Sequence, residues 1–174
     1  MSNHSVFITA FAVAFTTTAS AEPIDPCSLL SDAEQIELGV PKNFVPSRES
    51  QPSGVQACKC QTRRSGTTSE GTASIILSQA VPERARQLRA MQAKVREEST
   101  PAQQQARGEY FEDKVMCKVA SASQQETSQC IGASEQSVVA LVVSRPNFTD
   151  TVTYPASQLR IIGNLVSRVA QKDG

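Results

Sequence analysis

Five cysteines, Cys27, Cys58, Cys60, Cys117 and Cys130, are the side chains of this sequence best equipped for chemistry. Thiolates attack electrophiles, exchange disulfides and hold soft metal ions. The tightest spacing is Cys58-Lys59-Cys60. On a strand both sulfurs would leave the same face, because side chains alternate with period two, and Lys59 would point the other way. Such a pair could work as a redox dithiol or hold Cu(I). The plainer expectation is that one of the two is bridged to Cys27 while the other is a small buried hydrophobe. No histidine and no methionine cluster stands near to complete a metal site.

The single histidine, His4, sits in a segment that is expected to be removed. Residues 1–21 hold no acidic residue, lysine or arginine. They run through a mostly apolar stretch, Val6 to Phe15, into Ala19-Ser20-Ala21, whose small −3 and −1 residues suit signal peptidase. The chain therefore divides into a signal peptide at 1–21 and a single domain at 22–174, exported to the periplasm or the extracellular space. The apolar run is short of the roughly 20 residues that span a bilayer, and no second one follows, so stable membrane insertion after cleavage is not expected. Without His4 there is no imidazole for Ser-His-Asp or Cys-His catalysis, zincin chemistry or histidine-bearing zinc sites. No catalytic residue, metal or cofactor is expected.

In an oxidising compartment cysteines pair, and an odd count leaves one over. Five cysteines allow about 15 ways of forming two bonds. Cys117 and Cys130 fall on two expected strands joined by the polar stretch Ser121 to Thr127, and so can face each other. Cys27 precedes the first helix and would reach either Cys58 or Cys60. On the loop-entropy argument each bridge contributes about 3–4 kcal/mol.

The 17 basic and 17 acidic residues all follow residue 21, and this neutral balance argues against nucleic acid as a partner. There is no tryptophan, and beyond residue 21 the aromatics are Phe44, Phe111, Phe148, Tyr110 and Tyr154, few for stacking bases or sugars. One basic feature stands out. Arg86, Arg89 and Arg96 fall within about 80° on one flank of an expected helix, where they could face an acidic partner, or merely cover apolar surface with their stems.

The elements that must position these residues follow from pattern. Asp25-Pro26 reads as a helix cap and first turn, Ser31-Asp32-Ala33-Glu34 as a capping box, and Gly39 as a stop. Residues 40–54, with Pro41, Pro46, Pro52 and Gly54, read as loop. Val55 to Arg64 and Thr72 to Gln79 read as a hairpin joined through Ser65 to Thr68. Pro82 to Glu98 is the clearest helix, its stripe formed by Val81, Ala85, Leu88, Gln92 or Met91, and Val95. Ser99 to Arg107 reads as a glutamine-rich turn, and Gly108 to Ala120 as a strand or bent hairpin. Thr127 to Ala133 and Ser137 to Ser144 are further strands, the second apolar enough to be central. Pro155 to Ala170 is the last helix. This order predicts an α+β domain: an antiparallel sheet of about five strands, helices packed mainly on one face, stapled by disulfides.

The opening Asp25-Pro26-Cys27-Ser28-Leu29-Leu30, with Ser31 to Glu34 and Leu38-Gly39 behind it, resembles a group of small exported bacterial envelope proteins of unknown function. These begin Asp-(Pro/Ala)-Cys-x-Leu-Leu and often carry a second cysteine in a strand, commonly as Cys-x-aromatic. The likeness covers residues 25–62. It implies a Cys27–Cys58 bridge, with Cys60 as the free thiol in place of the buried aromatic; the Cys117–Cys130 bridge rests on the two expected strands alone. It differs in lacking a lipidation context around Cys27.

Two functions follow as expectations. The first is an exported, non-catalytic binding module of the bacterial envelope, with an inhibitor or immunity-like role included, meeting an unknown protein or cell-wall partner through loops or the Arg86, Arg89 and Arg96 edge. The alternative is a thiol-based redox or Cu(I)-handling protein using Cys58 and Cys60.

Overall fold

The computed structural model describes residues 24–41, 45–50, 55–63, 70–79, 82–122, 124–147, 152 and 154–173. The expected signal peptide with His4, the connection 65–68 and Val81 lie outside them.

The N-terminal motif resolves into local physics. Pro26–Ser28 forms a single 3-10 turn, with Asp25 as its cap accepting from the Cys27 N–H at 2.9 Å. The other Asp25 oxygen accepts from Arg48 Nε and Nη2, at 3.1 and 3.0 Å. Helix α1, Asp32–Glu37, starts with the expected capping box, Ser31 and Glu34 bonding each other's backbone. It ends before Gly39, whose φ of 78° only glycine adopts freely. Leu29 and Leu30 go into the core.

The strands are β1 Ser47–Ser50, β2 Val55–Arg63, β3 Glu70–Gln79, β4 Glu109–Glu112, β5 Val115–Ala122, β6 Gln125–Ala133 and β7 Ser137–Pro146. Among the described residues they form one antiparallel sheet in the order β1-β2-β3-β7-β6-β5-β4. Register places Cys58, Ile75, Leu141, Cys130 and Cys117 in one row across five strands. All five are essentially buried, so this row is the floor of the core. β7 is central, as its composition predicted, with Val139, Leu141 and Val143 buried on this face and Val138, Ala140 and Val142 half-buried on the other.

The sheet thus has seven strands, not about five. Both additions are short edges. Ser47-Arg48-Glu49-Ser50 carries no apolar alternation because it pairs only with β2 and is held through Arg48. The stretch from Gly108 is the bent hairpin of the two readings: Asp113-Lys114 turns the chain between β4 and β5, with Asp113 left-handed at φ 47°. Ser99 to Arg107 is also more ordered than a turn. Thr100 and Gln103 make a second capping box, and Pro101 opens helix α3, Pro101–Ala106.

The helices contact different parts of the sheet, and these contacts do not show them packed on one face. Helix α4, Ala156–Asp173, lies against β5, β6 and β7, and the 3-10 turn against β2 and β3. Helix α3 touches β4, whereas α2, Pro82–Glu98, touches β6 and β7. Helix α4 is the main lid, with Leu159, Ile161, Ile162, Leu165 and Val169 wholly buried, each such burial being favourable by about 1.5–3 kcal/mol. It approaches β6 so closely that a Cβ on Gly132 would stand 2.6 Å from Val166 Cγ2.

One ion pair, between the buried Glu34 and a partly exposed Arg168, ties the motif to this lid. Glu34 Oε2 accepts from Arg168 Nη1 at 2.6 Å and Oε1 from Arg168 Nη2 at 3.0 Å. Asn164 Nδ2 and Ser31 N and Oγ also donate to the same carboxylate, each at 2.9 Å. Arg168 reaches on to the Leu29 carbonyl at 2.6 Å. Burial alone would raise the Glu34 pKa, but the donors from Arg168, Asn164 and Ser31 outweigh it and hold it at about 2, against 4.5 ordinarily.

Two outcomes follow. A carboxyl whose pKa is lowered by folding adds stability above its unfolded value, lost as pH falls through the folded one. Denaturant unfolding should therefore weaken between about pH 5 and pH 2, with about 3 kcal/mol attributable to Glu34. Arg168→Leu should cost about 3 kcal/mol at pH 7 by stranding Glu34, and should remove most of that low-pH loss; an unchanged unfolding midpoint would refute the clamp. Gly132→Ala should cost about 1–3 kcal/mol by pushing Val166 from β6, read by thermal unfolding.

Candidate functional site

The cysteines were the first candidates, and the fold separates them. Cys27 and Cys58 are bridged, with Cα atoms 5.0 Å apart. Cys117 and Cys130 are bridged between directly opposed positions on β5 and β6, with Cα atoms 3.9 Å apart. Cys60 is free and buried. The period-two argument holds, since Cys58 and Cys60 share the core face. But Cys58 is spent in a bridge, so the two sulfurs are not a dithiol, and burial raises the Cys60 thiol pKa. A thiol that is both hidden and hard to ionise is a poor nucleophile. Among the described residues no group of three or more His, Cys, Asp or Glu side chains could hold a metal ion.

The three arginines divide too. Arg86 is exposed and pairs with Glu83 one turn away at 3.3 Å. Arg89 Nη1 donates to the Ser134 carbonyl at 2.5 Å, and Arg96 Nη1 to the Asp113 carbonyl at 3.4 Å. Arg89 and Arg96 are thus struts, fastening α2 to the β6–β7 turn and to the β4–β5 turn. The structure brings these two together at one site and leaves Arg86 outside it.

That site is a pair of adjoining clefts. One, of about 580 Å³, lies between the last turns of α4 and the two sheet turns, and includes Arg89, Lys114, Ser134, Val166 and Asp173 in its wall. The other, of about 490 Å³, lies between α2 and the β4–β5 hairpin, walled by Arg89, Gln92, Arg96, Phe111, Asp113 and Lys114 among others. Arg89, Asp113, Lys114 and Val115 line both, so the clefts adjoin. The first has a rigid corner. Asp173 accepts from Ser134 Oγ at 2.8 Å and Ser137 Oγ at 3.3 Å, and Ser134 Oγ caps the Ser137 N–H at 3.0 Å. These serines are used by the turn.

The second cleft has an unfinished corner. On the α2 stripe the residue turned inward is Gln92, with Met91 left half-exposed. Gln92 Nε2 donates to the Ile131 carbonyl at 3.1 Å, but its buried Oε1 has no hydrogen-bond partner among the described residues. A buried acceptor left without a donor costs about 1–3 kcal/mol. Around it the charges are mixed: among the described residues Lys114 makes no ion pair, and Arg89 and Arg96 bond to carbonyls.

Gln92, Phe111 and Lys114 were not expected as site residues. A glutamine in an apolar stripe and a polar pair at a turn are ordinary features, and only the packing of α2 across two turns makes them neighbours. No family model matches the chain, and neither a curated protein nor a solved structure matches it.

Mass measurement after alkylation tests the cysteine assignment. No adduct is expected on the native protein, one after unfolding without reductant, at Cys60, and five after reduction. Two native adducts at Cys58 and Cys60 would restore the dithiol.

Proposed function

We propose that this protein is an exported, non-catalytic binding module of the bacterial cell envelope, periplasmic or extracellular, that holds a protein or cell-wall partner in the double cleft beside α2. The observation that carries this reading is the pair of adjoining clefts that share Arg89, Asp113, Lys114 and Val115 in their walls. Export is supported by the two bridges, which persist in oxidising compartments, and by the Ala19-Ser20-Ala21 pattern. No described helix is long and apolar enough to cross a membrane.

The clefts suit recognition. Their walls are fixed by Arg89, Arg96 and the Ser134–Asp173 corner, so little order is lost when a partner arrives, which favours affinity. Charges of both signs alternate with the apolar Val115 and Val166, as at a wet, non-obligate interface.

Affinity capture from envelope fractions tests the reading. Lys114→Glu changes a side chain of the cleft that makes no ion pair among the described residues, and Arg86→Glu changes one outside it. A partner retained by the wild type and by Arg86→Glu, but lost with Lys114→Glu, is the expected result. Equal retention by Lys114→Glu would move the contact surface elsewhere.

A further inference from the structure

We infer that α2 is a hinged cover, which swings off the sheet as one unit about Ser99-Thr100 while the sheet and α4 stay folded. This does not depend on what the clefts bind.

Little holds α2 down. Along Pro82–Glu98 the buried residues are Ala85 and Gln92; Leu88 and Val95 are half-buried, and Met91 is 50% exposed. The similarly long α4 buries Leu159, Ile161, Ile162, Leu165 and Val169. Apolar burial is what chiefly keeps a helix on a sheet, so the two should come off at very different cost. In place of a full stripe α2 has side-chain ties to three carbonyls, Arg89 to Ser134, Gln92 to Ile131 and Arg96 to Asp113. Water can replace both sides of such bonds, so each adds little. Gln92 also works against closure. Its Oε1 is sealed from solvent and has no hydrogen-bond partner among the described residues. Lifting the helix hydrates that oxygen and so offsets part of the cost of opening.

The two ends of α2 differ, which places the hinge. At the C-terminal end Gln104 Nε2 donates to the Ser99 and Arg96 carbonyls, at 3.0 and 3.3 Å, and Ser99 Oγ donates to the Val95 carbonyl. Gln104 belongs to α3, which has its own capping box and touches β4. Thr100 between the two helices is extended, so no helical ladder runs through the bend. At the other end, among the described residues, the side chains bond within the helix: Arg86 to Glu83 at 3.3 Å and Gln87 to Glu83 at 3.4 Å.

What opening bares follows from alternation. Gly132 faces Val166 of α4, so Ile131 and Ala133 on either side of it face away from α4. Ala133 is nevertheless 2% exposed, and α2 is the helix that reaches β6 there, through Gln92. Register puts Val138 opposite Ala133 and Ala140 opposite Ile131, which completes an apolar strip. The second cleft, walled on one side by Arg89, Gln92 and Arg96, exists only while α2 is seated. Opening therefore exchanges a charged cleft for an apolar strip.

Native-state hydrogen exchange of the 15N-labelled protein, both bridges closed, tests this by NMR at low denaturant. The amides of α2 from Arg86 to Arg96 should share one opening, with protection about 1,000-fold or more below that of Leu141 and Leu165 and a shallower denaturant slope. Arg168→Leu loosens the α4 clamp, and should lower protection at Leu141 and Leu165 by about 100-fold while leaving α2 unchanged. Gln92→Met, which keeps the volume and removes the orphan acceptor, should slow exchange in α2 by about five-fold or more. Protection and slope equal to those of Leu141 would mean that α2 leaves only with the whole fold. A steady gradient inward from Pro82 would mean fraying and no hinge. Either result, a response of α2 to Arg168→Leu, or no slowing by Gln92→Met would overturn the inference.

Discussion

Glu34 sits where the N-terminal segment meets α4, and the covered side of the sheet depends on its charge. Its two oxygens take a bidentate guanidinium from Arg168, an amide from Asn164 and two donors from Ser31. A carboxylate this hidden is tolerated only when its hydrogen-bonding capacity is filled. Filling it fixes the roll of α4 about its axis and the position of α1 together. Leu159, Ile162 and Leu165 can then meet the row of Cys58, Ile75, Leu141, Cys130 and Cys117. Glu37, one turn from Glu34, and Arg160, two turns from Arg168, repeat the contact at the surface.

The bridges work on the same problem from the other side. Cys27–Cys58 anchors the segment before α1 to β2, and Cys117–Cys130 staples the two strands under α4. The sheet's ends are blunt: β1 and β4 are four residues each, one carrying Arg48 and Glu49, the other Glu109 and Glu112. Short charged edges resist pairing with other chains. What this framework leaves unclosed is the turn end, where α2 is fastened by two arginine-to-carbonyl bonds and a glutamine instead of by a continuous apolar stripe.

Much of this was legible. The capping box at Ser31, the stop at Gly39, the hairpin of β2 and β3, the central β7 and the stripe of α4 each rest on a local rule that tertiary contacts did not override. The edges were not, because β1 has no apolar pattern to read and takes its extended form from pairing with β2. Helix α3 carried a signal, Thr100-Pro101 with Gln103, that its glutamine content masked. The candidate site was least legible. Arg89 and Arg96 were visible as a flank, but their carbonyl partners at Ser134 and Asp113 are 45 and 17 residues away. Gln92 looked interchangeable with Met91 until the position of α2 decided which of them faced the sheet.

The choice of Cys58 over Cys60 also bears on how the chain folds. Both sulfurs lie on one face of β2, two residues apart, while Cys27 is 31 residues from Cys58. Closing a loop to one or the other differs in chain entropy by under about 0.1 kcal/mol. An unfolded chain oxidised at random would therefore make both isomers in similar amounts. Discrimination must come from packing, once β2 is in register with β3 and the 3-10 turn has docked. The native bridge is in that sense a product of the fold and not its initiator, and the unused sulfur, sealed under the same core, is kept from reopening the choice.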